Sequence, residues 1–471
     1  MVTAVTLSTL SVPAQAMDRA TPGARSIGDR LFSYLGNGGY DIKSYDVSFD
    51  YRPGATQMKS SVRIKAEAAQ SLSEFSLDSA GQAITSVSVG NEAAQFRLVG
   101  EKLIVTPKRA LPKGRAFQID IAYVADRTAN PASPAEPESA PNVDYWYNKD
   151  DGFALFGQPD RAHVFFPMND HPRDKARVTL RITTPRDLQA VANGTLQSST
   201  THGDRTTYVY STRDPIATQV VQAAVGRFKE LRQAGPHGLP VRSYVTPELY
   251  EKAKPQLELI PGQLEWVESK IGSRYPFEAY GVLGVKGGYA SALETATLPT
   301  FSAEAGLAKP SGAPTMLHEL VHQYFGNAVS VRNWDDMWLS EGHATYYTFL
   351  YKAEKGHSEG GTLDDDIKRA YDYDKDSRPE SGPPGRLKHA LDVLGSTNAG
   401  GAVMLHGLRL KVGDAAFQKI ERTFFDRFRH RAATTQDYID VVNAVSGHDY
   451  TGYIKNWIYG TQTPPMPTRS N

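Results

Sequence analysis

His318-Glu319-Leu320-Val321-His322, followed nineteen residues after His322 by Glu341 within Trp338-Leu339-Ser340-Glu341-Gly342, is the stretch on which the reading of this chain turns. Pro314 precedes the first segment and Gly326 follows it. Proline at the first helical position and glycine just past the last predict a helix over Thr315–Phe325. Residues four apart on a helix project from one face, so the two imidazoles can bind a single ion, and Glu319, about a quarter-turn from His318, can reach water on that ion. Glu341 opens a second helical pattern that runs through Ala344 to Ala353. Two histidines and one carboxylate leave an open position on a tetrahedral metal, the ligand set of hydrolytic zinc sites.

Composition narrows the ligand chemistry further. The 471 residues include no cysteine, which excludes disulfides, thiolate nucleophiles and thiolate metal ligands and leaves histidine and carboxylate to hold a transition metal. The 52 Lys and Arg residues balance 52 Asp and Glu, so no basic excess exists to draw nucleic acid or an anionic membrane. No run approaches the roughly 18 consecutive apolar residues of a membrane-spanning helix. Residues 1–16 form a mildly apolar, uncharged segment ending in Ala14-Gln15-Ala16, the small-x-small pattern that signal peptidase cuts after. The expectation is a truncated signal segment on a secreted or cell-envelope protein, the alternative being a tail on a cytoplasmic one.

From about residue 40 the apolar pattern has period two: Tyr45, Val47 and Phe49; Val62 and Ile64; Phe117, Ile119, Ile121 and Tyr123; Val178, Leu180 and Ile182; Tyr208 and Tyr210. This alternation predicts half-buried antiparallel strands. The prolines between Thr128 and Pro141 predict a surface loop that interrupts the β region. The last strand-like run is Gln219–Val225, and the boundary is placed near residue 235. Beyond it helical spacing takes over, as at Leu264, Val267 and Ile271, with short strands around Val282–Val285. A further helix is predicted from an N-cap at Thr434 or Thr435 to Gly447. The expected fold class is therefore α+β, with an N-terminal antiparallel β domain (17–235) and a helix-rich metal domain (236–471).

On the His-Glu-x-x-His motif and Glu341 the sequence resembles the gluzincin metallopeptidases, and within them the M1 zinc aminopeptidases of the secreted bacterial two-domain type. The resemblance implies a thermolysin-like catalytic domain, one Zn2+ held by His318, His322 and Glu341, and Glu319 as general base. Gly287-Gly288-Tyr289-Ala290-Ser291-Ala292-Leu293-Glu294-Thr295 is similar to the family motif Gly-x-Met-Glu-Asn, with Ser291, Leu293 and Thr295 departing from it. The implied role of Glu294 is to hold the substrate's terminal ammonium. Gln158, in Phe156-Gly157-Gln158-Pro159, matches the segment that borders the first substrate subsite. His171 and the other histidines outside the motif read as surface or packing residues.

One departure bears on the chemistry. The family's oxyanion-stabilising tyrosine, in Tyr-x-x-Gly-Ala, corresponds here to Asn398 of Asn398-Ala399-Gly400-Gly401-Ala402, and no tyrosine lies between Tyr373 and Tyr438. Asn398 is then a weaker donor to the oxyanion, and loss of such a donor costs about 10²–10³ in turnover. The implied activity is removal of N-terminal residues from a peptide or small amide, slow or specialised. A zinc enzyme of the same fold with another reaction, and a non-catalytic binding module on the zinc scaffold, are the alternatives.

Overall fold

A computed structural model of the protein describes residues 19–135, 144–147, 152–287, 292–309 and 311–468. The segment ending at Ala16, the second half of the proline-rich loop and Gly288–Ser291 lie outside these residues. The strands expected from the period-two pattern form one eight-stranded sheet. Its order is Thr195–His202, Arg205–Ser211, Arg177–Pro185, Tyr40–Asp50, Gln57–Ala68, Ala116–Asp126, Ala83–Val89 and Glu92–Ala93. Gln57–Ala68 shows the cause plainly, because every second residue is buried along its whole length. Within this sheet the expectation of antiparallel pairing fails at one place. Arg177–Pro185 runs parallel to Tyr40–Asp50, with Leu180 opposite Val47, since the chain returns to the sheet centre by a long crossover and not a hairpin. Over the sheet, Phe49, Trp146, Phe153 and Phe165 pack edge to face with ring centroids 5.1–6.0 Å apart, the preferred geometry for aromatic quadrupoles.

The run Gln219–Val225 is not one strand. A single 3₁₀ turn, Thr218–Val220, precedes a strand over Ala223–Gly226. Two further strands follow, Lys229–Ala234 and Pro240–Val245, and pair with each other across residue 235. They belong to a second sheet of five strands, completed by Leu283–Val285, Thr300–Ser302 and the edge strand Ala292–Leu293. Residue 235, where the boundary is read, thus lies at the turn of this hairpin. Polar spacing in Lys229–Ala234, an exposed edge strand, conceals this strand from the hydrophobic pattern.

Nine helices follow among the described residues: α1 (Tyr250–Leu257), α2 (Ile260–Ile271), α3 (Gly312–His322), α4 (Trp338–Lys355), α5 (Leu363–Ser381), α6 (Asn398–Val412), α7 (Asp414–Phe428), α8 (Thr435–Ser446) and α9 (Thr451–Tyr459). The predicted helix over Thr315–Phe325 is α3, shifted towards its N-terminus. Pro314 is its third residue, still in the first turn, where a missing N–H loses no intrahelical bond. Gly326 lies four residues past the end. The helix α8 matches its prediction, with a capping box between Thr434 and Asp437 and a left-handed Gly447 at its end. No described helix is long and apolar enough to cross a membrane.

Polar contacts tie the β region to the helical one. Asp29 accepts from the Trp334 amide at 2.9 Å and faces His171 Nε2 at 3.2 Å, and Lys175 donates to the Asn327 and Ala328 carbonyls at 2.7 and 2.8 Å. His171 is thus a buried structural residue.

Candidate metal centre and the cavity around it

α3 and α4 pack side by side, and their facing surfaces carry the centre. His318 Nε2 and His322 Nε2 are 3.0 Å apart. Glu341 Oε2, from the first turn of α4, lies 3.8 Å from the first and 3.7 Å from the second. A tetrahedral ion with bonds of about 2.0–2.1 Å spaces its ligands by about 3.3 Å, so these atoms fit one such ion. His322 and Glu341 are buried, 1% and 4% exposed, while His318 is half-buried. Burial pushes both imidazoles below their ordinary range, keeping them in the neutral form that ligates. Burial also pushes Glu341 upward, opposed by His322 and reinforced by Glu294.

Each imidazole is oriented from behind by a hydroxyl of α4. His322 Nδ1 faces Ser340 Oγ at 2.9 Å and the Phe325 carbonyl at 3.3 Å, while His318 Nδ1 faces Thr348 Oγ1 at 3.4 Å. Ser340 donates its own proton to the Phe325 carbonyl and Thr348 donates to that of Ala344. Both hydroxyl oxygens are left to accept from Nδ1–H, and each Nε2 lone pair then points at the centre. Ser340 and Thr348 were not marked by the sequence reading. Their spacing of eight residues, two turns on the face of α4 that carries Glu341, was the available signal.

Glu319 is 5% exposed and its Oε2 has no hydrogen-bond partner among the described residues. Burial, with Glu294 and Glu341 nearby, raises its carboxyl well above the usual range. Glu294 follows the edge strand Ala292–Leu293, which lays it against α3. One carboxylate oxygen each of Glu294 and Glu319 and one ring nitrogen of His322 lie within 4.8 Å of one another. The Glu294 carbonyl is held by Asn327 Nδ2 at 2.7 Å and Gln323 Nε2 at 3.3 Å. Gln323 also accepts from the Thr297 amide at 2.8 Å. Thr297 has φ +62°, an unfavourable backbone conformation for a β-branched residue that these contacts maintain.

The β region closes the other side. Gln158 Nε2 donates to Glu294 Oε1 at 2.5 Å, and the buried Gln158 Oε1 has no partner among the described residues. Three residues on, Arg161 makes a two-pronged pair with Glu101 at 2.8 and 2.9 Å. His163 lies 2.7 Å from Asp170 and 3.3 Å from Glu101. Burial alone would lower His163, but these hydrogen bonds outweigh it and raise it to about 9. Burial raises Glu101, and its bonds to His163 and Arg161 outweigh that to hold it near about 2. This network, absent from the sequence reading, anchors the Gln158 loop. All the site residues named from sequence, Gln158, Glu294, His318, Glu319, His322, Glu341 and Asn398, line one cavity of about 1250 Å³. Tyr145 and Tyr373 line it too. The fold thus brings Tyr373 of α5 to the cavity wall despite its distance in sequence from Asn398.

Residues 42–220 match the Peptidase M1 N-terminal domain and residues 256–457 match the Peptidase family M1 domain. The chain belongs to the M1 peptidase family. It is similar over 94% of its length, and over the whole of the other chain, to an M1 zinc metallopeptidase from Deinococcus radiodurans (27% identity, TM-score 0.82). A mutant of that protein with the substrate Tyr-Ser-Ala bound superposes with a TM-score of 0.81 at 27% identity over the same shares of the two chains. Curated relatives include a probable aminopeptidase 2 of Sulfurisphaera tokodaii, 24% identical over 63% of this chain and 40% of the relative, and the glutamyl aminopeptidase of Mus musculus, 27% identical over 64% and 33%. The M1 match thus spans only a third to two-fifths of those longer relatives.

Proposed function

We propose that this M1 protein is a zinc-dependent aminopeptidase, with His318, His322 and Glu341 holding one zinc ion. The observation that carries the reading is the placement of Glu294. Its carboxylate lies within 4.8 Å of the base Glu319 and the ligand His322, beside the unpartnered Gln158 Oε1. A substrate ammonium can donate to both acceptors, which fixes the amine one residue from the metal and excludes chains that continue past it.

Zinc supplies a Lewis acid that polarises the scissile carbonyl and brings the pKa of water towards ~7. Glu319 takes the proton from the attacking water and returns it to the leaving amine. Asn398, at the position of the family tyrosine, carries no phenol for the oxyanion, in keeping with slow or specialised turnover. Export remains our reading of the Ala14-Gln15-Ala16 pattern.

The test is hydrolysis of a free peptide and its N-acetylated form by the zinc-loaded protein. We expect stepwise release of N-terminal residues from the first and none from the second. Glu294→Ala should raise KM and lower kcat together, because the ammonium both anchors the substrate and aligns the bond to be cut. Equal cleavage of free and acetylated peptides would refute the amine-reading role, and absence of amide hydrolysis would move the reaction to another electrophile.

A further inference from the structure

Resting on the reading of Glu294 as the residue that takes the substrate ammonium, we propose that Lys175 of the β region is a positioning residue that sets Glu294 through Asn327. Lys175 stands two residues before the strand Arg177–Pro185 and is half-buried. Its ammonium donates to the carbonyls of Asn327 and Ala328 at 2.7 and 2.8 Å. These two residues follow Gly326, just past the end of α3, and both are fully buried. An ammonium has three protons to donate, and two of them go to this one stretch of backbone.

Asn327 carries the contact on. Its side-chain nitrogen donates to the Glu294 carbonyl at 2.7 Å, the shorter of the two bonds that this carbonyl receives, since Gln323 Nε2 stands at 3.3 Å. A carbonyl can only accept, so the atom of the amide that faces it is the nitrogen. Asn327 Oδ1 is buried and has no partner among the described residues. The amide is therefore not held from its other end, and its place follows from the backbone that carries it. That backbone is pinned twice: the Asn327 N–H donates to the His322 carbonyl at 2.9 Å, and the Asn327 carbonyl accepts from Lys175. The first bond ties Asn327 to α3 and the second ties it to the β region.

Two arms of the β region thus converge on one residue. Gln158 holds the Glu294 side chain at Oε1, and Lys175, through Asn327, holds its backbone. Among the described residues neither Lys175 nor the Asn327 side chain hydrogen-bonds the side chain of His318, His322 or Glu341. Loss of Lys175 should therefore shift the amine anchor and leave the metal in place. A misplacement on the order of 1 Å in a group that aligns the substrate costs as much as ~10²-fold in rate.

The experiment measures kcat and KM on a free peptide, zinc content and Tm of the zinc-loaded protein, for wild type, Lys175→Met, Asn327→Ala, Glu294→Ala and the two double variants that carry Glu294→Ala. Methionine keeps an unbranched chain without the donor. Asn327→Ala removes the next link and decides the matter if the methionine variant does not fold. We expect each of the two to raise KM and to lower kcat/KM by about 10–100-fold at unchanged zinc content. In the Glu294→Ala background the same substitutions should change kcat/KM by less than about twofold, because the group they position is gone. Their effect on Tm should be alike in both backgrounds. Equal fold losses of kcat/KM in both backgrounds would overturn the proposal in favour of general packing, and loss of zinc would overturn it in favour of support for α3. A Glu294→Ala protein with wild-type kinetics fails the amine reading itself, and this inference with it. A Glu294→Ala protein that loses activity, while either folded single variant keeps wild-type kinetics, fails this inference alone.

Discussion

Gly342 and Gly401 face each other across α4 and α6 with no room for a side chain on either, each Cα lying 2.9 Å from where the other's Cβ would stand. Backbone cannot yield as a long side chain can, so a methyl group at either position must push the helices apart and carry Glu341 away from the two imidazoles. Gly401→Ala should cost about 1–3 kcal/mol in stability, the usual range for overpacking, and weaken zinc binding at the same time. Gly262→Ala is the control. That exposed glycine in α2 has open space around its Cβ position, and alanine there should stabilise by about 0.5–1 kcal/mol. Denaturant melts and chelator competition on both variants check the contrast, and a harmless Gly401→Ala would refute the tight crossing.

The ligand and base roles separate by metal content. His322→Ala removes one of three ligands and should lose stoichiometric zinc, whereas Glu319→Ala, which touches no ligand position, should retain it. Activity should fall in both, in the second by about 10²–10⁴ for loss of the general base alone. Metal analysis of the purified variants decides this. Full zinc in both would contradict the assignment of His322.

Gly326 connects the end of α3 to the hydroxyl that orients His322. Its φ is +126°, and a Cβ there would fall on Ser340 Oγ. Ser340→Ala should weaken zinc binding about tenfold, with the Phe325 carbonyl still 3.3 Å from His322 Nδ1. Gly326→Ala should weaken it more, since it displaces the same hydroxyl and also strains the turn. A Gly326→Ala protein with wild-type zinc affinity would show that the turn relaxes without moving Ser340.

The parts legible in the sequence were those written in local periodicity. Alternation named the strands at Tyr45–Phe49 and Val178–Ile182, and the i, i+4 spacing of His318 and His322 placed the two imidazoles on one face of α3. Non-local choices were hidden. Nothing in the strand around Leu180 says that its partner Val47 runs parallel, because pleat alternation is the same in both senses. The edge strand Lys229–Ala234 was missed because edge strands need not alternate. Likewise Ser340, Thr348 and the Arg161–Glu101–His163 network act through contacts between distant segments, and single polar residues carry no period.

That network supplies the last prediction, a pH-dependent contribution to stability. His163 is fully buried, 2.7 Å from Asp170 and 3.3 Å from Glu101, and is raised to about 9 against an ordinary 6.5. Below pH 6.5 it is protonated in both folded and unfolded chains, so its contribution is fully present. As pH rises from 6.5 to 9 only the folded protein keeps the proton, and the contribution fades. Glu101, lowered to about 2 from 4.5, behaves in the opposite sense: its contribution is present above pH 4.5 and is lost as pH falls towards 2. The network is therefore strongest between about pH 4.5 and 6.5. At roughly 1.4 kcal/mol per pH unit, the His163 contribution is at most on the order of 3 kcal/mol. His163→Gln keeps a polar side chain without the charge, so its stability deficit should be largest near pH 5.5 and shrink by pH 9.5, where the residue left over measures packing alone. Urea melts of both proteins at pH 5.5, 7.5 and 9.5 give the comparison. A deficit that stays constant across that range would mean that His163 is held neutral, and that the Gln158 loop is fixed by Arg161 and Glu101 without it.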